Sequence, residues 1–238
     1  MGDDEGGKRG YHMSDAGISL HLPDIAASLK GRARGLLTPA ETIRTAVMIP
    51  LLEAEDGVSV LFTKRARTLR RQPGEISFPG GHQEPADVDD AATALRETCE
   101  ELGVRPDHLT YLGPLDVFPA WSGLLVYPHV AALSSRTALQ PNPAEVEEVF
   151  TVPLRHLLAM QPHVYEVKLV PVPPDDFPYQ WVSGGRRYPW REGRVEQWFY
   201  PLDKHVVWGL TARILTHFLQ ILRAHHSVGP CDGGEGTR

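Results

Sequence analysis

The sequence predicts an α+β sandwich with a mixed central sheet. Three observations carry that expectation: apolar, β-branched runs separated by turn residues, two helical stretches that differ in character, and no regular strand–helix alternation of the kind a doubly wound sheet requires. Residues 43–52 and 58–64 are the first apolar runs, and Glu55-Asp56-Gly57 between them reads as the turn of a hairpin. A basic loop punctuated by Gly and Pro covers 65–85, and a helix follows over 89–102, stopped by Gly103 and Pro106. Further strands are expected at 109–115, 124–132, 165–172 and 197–200, with a short helix near 153–160 and a long closing helix over 206–224.

The 238 residues favour one elaborated domain, and 42% hydrophobic content is enough to give it a sizeable core. We expect a disordered leader over 1–16, the folded domain over 17–226 and a loose tail over 227–238, because both ends are Gly-rich and lack apolar periodicity. Lys and Arg number 24 against 30 Asp and Glu, so the net charge of −6 offers no bulk attraction to nucleic acid or an anionic membrane. A polyanion must therefore be met by a local basic patch. Cys99 and Cys231 are too few for a disulfide framework and lack zinc-site spacing, which points to a reducing compartment. No apolar run approaches the ~18 residues of a membrane helix, and Asp3, Asp4 and Glu5 do not suit a signal or transit peptide. Gly236-Thr237-Arg238 is unlike a Ser-Lys-Leu address. A cytoplasmic protein with a small-molecule partner is expected, and a homodimer is left open.

The most informative segment is Arg96-Glu97-Thr98-Cys99-Glu100-Glu101-Leu102-Gly103-Val104. At 100° per residue, Glu97, Glu100 and Glu101 share an arc of about 100° on one helix face. Three carboxylates there repel one another, and a hard divalent cation, Mg²⁺ or Mn²⁺, suits an oxygen-only set with no His or Cys ligand. An isolated pattern of this kind is more often a solvated acidic face. Here Gly80-Gly81 precedes the helix, where it permits close backbone approach, and Gly103 ends it. Cys99 points about 160° away from the mean glutamate direction, as a small core residue would.

This segment resembles the signature box of the Nudix hydrolases. Gly80 stands further from Arg96 than in the general box, and Asp87 is the acid nearest the box's first Glu position. The lengthened loop and Thr93-Ala94-Leu95-Arg96-Glu97 are similar to the coenzyme A pyrophosphatase branch. An upstream block, Leu61-Phe62-Thr63-Lys64-Arg65-Ala66 leading through Arg70 and Gly74 to Phe78-Pro79-Gly80-Gly81, matches that branch too. The resemblance implies a Nudix-type α/β/α sandwich that cleaves coenzyme A or its derivatives to 3′,5′-ADP and 4′-phosphopantetheine or acyl-phosphopantetheine with Mg²⁺ or Mn²⁺. It implies metal ligation by Glu97, Glu100 and Glu101 with a carbonyl of Gly81 or Gly80. The base is Glu97, Glu100 or, from a later loop, Glu145. Substrate binding falls to Arg65, Arg70, Gly74, Phe78, Gly80 and His82, the last standing where Lys or Arg is common.

Lys64, Arg65, Arg67, Arg70 and Arg71 form a cationic run that suits an anion clamp for a phosphate-rich ligand. Glu145, Glu147 and Glu148 are equally readable as a solvated turn. Trp181, Tyr188, Trp190, Trp198, Phe199 and Tyr200 are expected to pack in a core or interface rather than to stack on adenine. Two other readings remain: a Nudix hydrolase of ADP-ribose, NADH or oxidised nucleotides, and a nonenzymatic nucleotide-binding module.

Overall fold

A computed structural model describes residues 21–33, 35–39, 42–54, 57–120 and 123–227. The expected leader, all but the first residue of the expected tail, and Glu55 and Asp56 of the expected turn lie outside them. In chain order the elements are α1 (Leu22–Leu29), β1 (Ile43–Ala54), β2 (Gly57–Arg65), β3 (Ile76–Ser77), β4 (Gly80–His82), α2 (Asp90–Leu102), β5 (Leu109–Pro114), β6 (Phe118–Pro119), β7 (Leu124–Leu133), β8 (Val146–Pro153), α3 (Leu154–Ala159), β9 (His163–Leu169), β10 (Gly193–Leu202), β11 (His205–Trp208) and α4 (Gly209–Ser227). They fall into two compact units, the described residues of 1–38 with 168–193, and the described residues of 39–167 with those of 194–238.

The second unit holds the mixed sheet. Its path is β3-β2-β1-β7-β5, with β4 beside β1, β6 beside β7 and β8 beside β2. β1 and β2 form the expected antiparallel pair, from Leu51 opposite Val60 to Ala54 opposite Gly57. β1 runs parallel to β7, Ile43 opposite Leu124 through Leu52 opposite Leu133. A separate sheet has the order β11-β10-β9.

Both faces of the main sheet are covered, and the period-2 alternation of its strands shows how. In β1, Ala46 and Met48 pack with Ala94 of α2, whereas Ile49 joins Val60, Phe62, Val126, Leu215, Phe218 and Leu219 in the larger core beneath α4. Leu61 of β2 faces the opposite way from Val60 and Phe62 and meets Leu102 at the end of α2. The result is the expected layered α+β sandwich, with α2 on one face and α4 on the other.

Two expectations change. The closing helix begins at Gly209, not at 206, because Val206-Val207-Trp208 pair with Phe199-Tyr200-Pro201 as a strand and Gly209 turns the chain at φ +61°. The 65–85 loop contains β3 and β4, and β4 pairs Gly80, Gly81 and His82 with Val47, Ala46 and Thr45. Of the aromatic residues, Tyr200 is buried and donates to or accepts from Thr216 at 2.9 Å, while Trp181 is 81% exposed. In the first unit, Phe177 packs edge-to-face on Tyr179 and Trp190, and Trp190 on Tyr188.

α2 has sharply defined ends. Asp89 caps its N-terminus by accepting the Ala92 N–H at 2.7 Å, and Gly103 ends it at φ +62° with its N–H and that of Val104 both returned to the Cys99 carbonyl. A Cβ on Gly103 would collide with the Gln140 carbonyl. Gly103→Ala is therefore expected to cost at least about 2 kcal/mol, a fall of about 4–8 °C in Tm by scanning calorimetry; an unchanged Tm would refute the close packing at this end.

Candidate active site

The α2 glutamates reach β4 because two glycines leave room. A Cβ on Gly81 would run into the Glu97 carboxylate, and one on Gly80 into the Ala46 carbonyl and Val47. With no side chain between, the Gly80 N–H donates to Glu101 Oε1 at 3.2 Å. The glycine pair thus serves close approach of helix to strand, a role beyond exposing backbone to a ligand.

Arg96 organises the exposed side of the cluster. Its guanidinium donates from Nε and Nη2 to both oxygens of Asp87 at 3.0 Å, from Nη1 to Glu97 at 3.0 Å and Glu100 at 3.2 Å, and from Nη2 to the His82 carbonyl at 3.1 Å. Asp87 also accepts from the Glu84 N–H and the Thr93 hydroxyl. The Arg96 hydrogen bonds, then that from Glu84, hold the Asp87 carboxyl well below the usual carboxylate range. A side chain named in the sequence only as the nearest acid is thus the anchor of the loop.

The three glutamates differ in environment. Glu100 is half exposed. Glu97 is partly buried, and desolvation raises its pKa against the opposing pull of Arg96. Glu101 is 6% exposed, and burial pushes its carboxyl up to about 8, although the Gly80 N–H and the charge of Arg65 favour ionisation.

Glu145 comes to this cluster from a distant segment. The carbonyls that end α2 accept from backbone N–H groups of the following loop, Leu102 from Gln140 at 2.9 Å and Glu101 from Asn142 at 2.9 Å. The chain then leads to Glu145, whose charge raises the pKa of both Glu97 and Glu101. Its neighbours have other work. Glu147 accepts from Lys64 Nζ at 2.7 Å and Arg67 Nε at 3.2 Å, and Glu148 lies 3.3 Å from His205.

That arrangement divides the basic run. The β2–β8 register slips between Lys64 and Arg65, which face Glu148 and Val146, and leaves Glu147 as the extra residue of a bulge. Lys64 and Arg67 are tied to Glu147. Burial raises the pKa of both Glu75 and Glu101, the charge of Arg65 opposes that rise at each, and the buried Arg65 Nε has no hydrogen-bond partner among the described residues. Arg70 is exposed and makes no ion pair among the described residues. Gly74 takes φ +74° in the loop and donates to the Arg65 carbonyl at 3.1 Å. Phe78, expected to meet substrate, is 4% exposed and stacks on Phe62 with centroids 5.1 Å apart, which makes it a core support of the glycine strand. His82 is exposed at the end of β4. Cys99 packs beside the Leu61–Leu102 cluster, as its direction on the helix predicts.

No group of three His, Cys, Asp or Glu side chains among the described residues forms a ready-made metal centre. The physical reason is that Arg96 neutralises Glu97 and Glu100 while Glu101 turns to Gly80. The donor chemistry nevertheless fits a hard cation: the helix face offers carboxylate oxygens alone, and the buried Glu101 lacks a charged hydrogen-bond partner among the described residues.

The NUDIX domain family model matches residues 42–170, and the chain belongs to the Nudix family. It is 41% identical over 131 residues to peroxisomal coenzyme A diphosphatase NUDT7 of Mus musculus, covering 55% of each chain. It is 34% identical over 231 residues to mitochondrial coenzyme A diphosphatase NUDT8 of Homo sapiens, covering 90% of this chain and 89% of that one. Identity to an uncharacterized Nudix hydrolase NudL of Photorhabdus laumondii is 34% over 175 residues, covering 74% of this chain and 82% of the relative. The chain thus spans about half the length of the mouse relative and most of the other two.

The Glu101 environment has a measurable consequence. Because its folded pKa of about 8 lies above the ordinary value of 4.5, its contribution to stability is full below pH 4.5 and is lost as pH rises through 8. Metal-free wild-type protein should therefore lose more Tm than Glu101→Gln between pH 5 and 8.5. Parallel pH profiles would contradict the buried, protonated carboxyl.

Proposed function

We propose that this chain is a metal-dependent pyrophosphohydrolase of coenzyme A and its derivatives, releasing 3′,5′-ADP and 4′-phosphopantetheine or its acyl form by water attack on the pyrophosphate. The observation that carries the reading is the acidic α2 face set against Gly80 and Gly81, with Glu145 brought to it from the loop before β8. The relatives named as coenzyme A diphosphatases support the substrate class.

Glu97, Glu100 and Glu101 would hold Mg²⁺ or Mn²⁺, with a Gly81 or Gly80 carbonyl as a further oxygen donor. When bound, the cation supplies charge neutralisation at the pyrophosphate and lowers the pKa of water. Glu97 and Glu100 are available for this once they exchange Arg96 for the metal, and Arg96 retains Asp87 and the His82 carbonyl, so the loop keeps its anchor. Glu145 accepts the proton of the attacking water, since its carboxylate stands outside α2 and has no side-chain partner among the described residues. Arg65 binds a phosphate oxygen through its guanidinium, and exposed Arg70 extends the clamp. We place the enzyme in the cytoplasm, although two relatives are named for other compartments. No helix among the described residues is long and apolar enough to cross a membrane.

The test is a substrate panel of coenzyme A, acetyl-CoA, ADP-ribose, NADH and 8-oxo-dGTP with Mg²⁺ or Mn²⁺, products resolved by mass. Metal-dependent 3′,5′-ADP release, fastest from the coenzyme A compounds and reduced at least about 100-fold in Glu100→Gln, is expected. Preferred cleavage of ADP-ribose or oxidised nucleotide would replace the substrate assignment, and silence across the panel would favour a binding module. Steady-state kinetics separate two roles: Arg65→Ala should raise KM about tenfold or more, whereas Glu145→Gln should lower kcat about 100-fold with KM little changed. The reverse pattern would overturn those assignments.

A further inference from the structure

The face of the main sheet turned away from α2 carries a cavity to which the reaction above assigns nothing. Its volume is about 170 Å³, and Phe118 of β6, Pro128 of β7 and Ile214 of α4 line it together with Asp116, Arg213 and His217. Pro128 lies two residues from both Val126 and Val130, which pack in the core beneath α4, so the strand alternation puts all three on that face.

The lining combines an apolar floor with three different polar groups. The Asp116 side chain is 90% exposed, and its Oδ2 lies 3.1 Å from His217 Nε2. The Arg213 guanidinium sits 5.5 Å from the centre of the Trp198 ring and forms no ion pair among the described residues. A carboxylate accepts hydrogen bonds, a guanidinium donates them, and an imidazole does either. An alkyl group would satisfy the floor and make no use of the three polar groups. A flexible dinucleotide is too large for a space below the usual ~300–1,000 Å³ of drug-sized sites. A single planar ring system with nitrogen donors and acceptors on its edge satisfies both parts of the lining.

We propose that this cavity binds a nucleobase-type heterocycle, its faces against Phe118, Pro128 and Ile214 and its amino edge toward Asp116. Two sources supply that chemistry, a free nucleotide or the nucleoside of the enzyme's own substrate. Only the second source rests on the proposed function.

Isothermal titration calorimetry of the full chain without metal, using adenosine and adenosine 3′,5′-bisphosphate as probes, tests the site. Adenosine should bind, and Asp116→Asn and Phe118→Ala should each weaken it about tenfold or more, with Asp116→Asn, at an exposed position, serving as the variant that keeps the fold. Failure of wild type to bind either probe, or affinities unchanged in both variants, would overturn the proposal. So would binding of pantetheine in place of adenosine. If Asp116→Asn also raises KM for coenzyme A at constant kcat, the base is the substrate's; if adenosine binding weakens while the kinetics stay the same, it belongs to a free nucleotide. Adenosine binding that depends on Asp116 in a chain that cleaves no coenzyme A compound would sink the proposed function and leave the cavity assignment standing.

Discussion

No side chain fits between α2 and the strand it faces, and the geometry of the site depends on that exclusion. Gly81 abuts the Glu97 carboxylate and Gly80 abuts β1, so the helix can lower its acidic face onto the glycine strand and Glu101 can reach a backbone N–H. The far end of α2 is constrained in the same way at Gly103, which lies against the Gln140 carbonyl. Buried anchors surround this contact: Leu102 and Leu61 behind the helix, Phe78 and Phe62 behind the strand. Close packing of this kind resists small adjustments, so the acidic groups keep their positions at the cost of the backbone freedom that glycine loses on folding.

Electrostatics then sort the acids into two kinds. Asp87, gripped at both oxygens by Arg96, is held ionised and acts as a fixed post for the loop. Glu101 is pushed toward its neutral form because burial outweighs its one backbone donor and the nearby Arg65. Arg96 also touches Glu97 and Glu100, so a single guanidinium links the structural acid to two acids of the proposed metal set. Exchange of one partner for another on such a hub alters charge balance without dismantling the loop.

The helical part of the site was legible because its information is local. Three glutamates within five residues share a face by helix geometry alone, and Gly103 and the Asp89 cap mark the helix ends. The hairpin of β1 and β2 and the two-faced sheet follow from period-2 apolar patterning. What pattern could not resolve depends on distant partners. β3, β4 and β6 have two or three residues each and carry no period, and β8 hides behind Glu147 and Glu148, whose charges read as a turn. The 206–208 segment runs into a helix without a polar break, and only its pairing with β10 makes it a strand. The division of the basic run between Glu147 and Glu101 likewise needs the β2–β8 bulge, which joins residues some eighty positions apart.

The parallel union of β1 with β7 also bears on how the chain is made. Ten residues of β1 find their partners about eighty positions later, from Ile43 with Leu124 to Leu52 with Leu133. A parallel pair cannot form by local zippering, and the loop entropy is spent before its contacts reward it. During synthesis, the β1–β2 hairpin therefore emerges with both apolar faces uncovered, and it waits for α2, β7 and finally α4 to close over it. At ribosomal speeds of ~5–20 residues per second, α4 closes over the hairpin about 8 to 30 s after β2 is made, and the apolar faces stay exposed for that time.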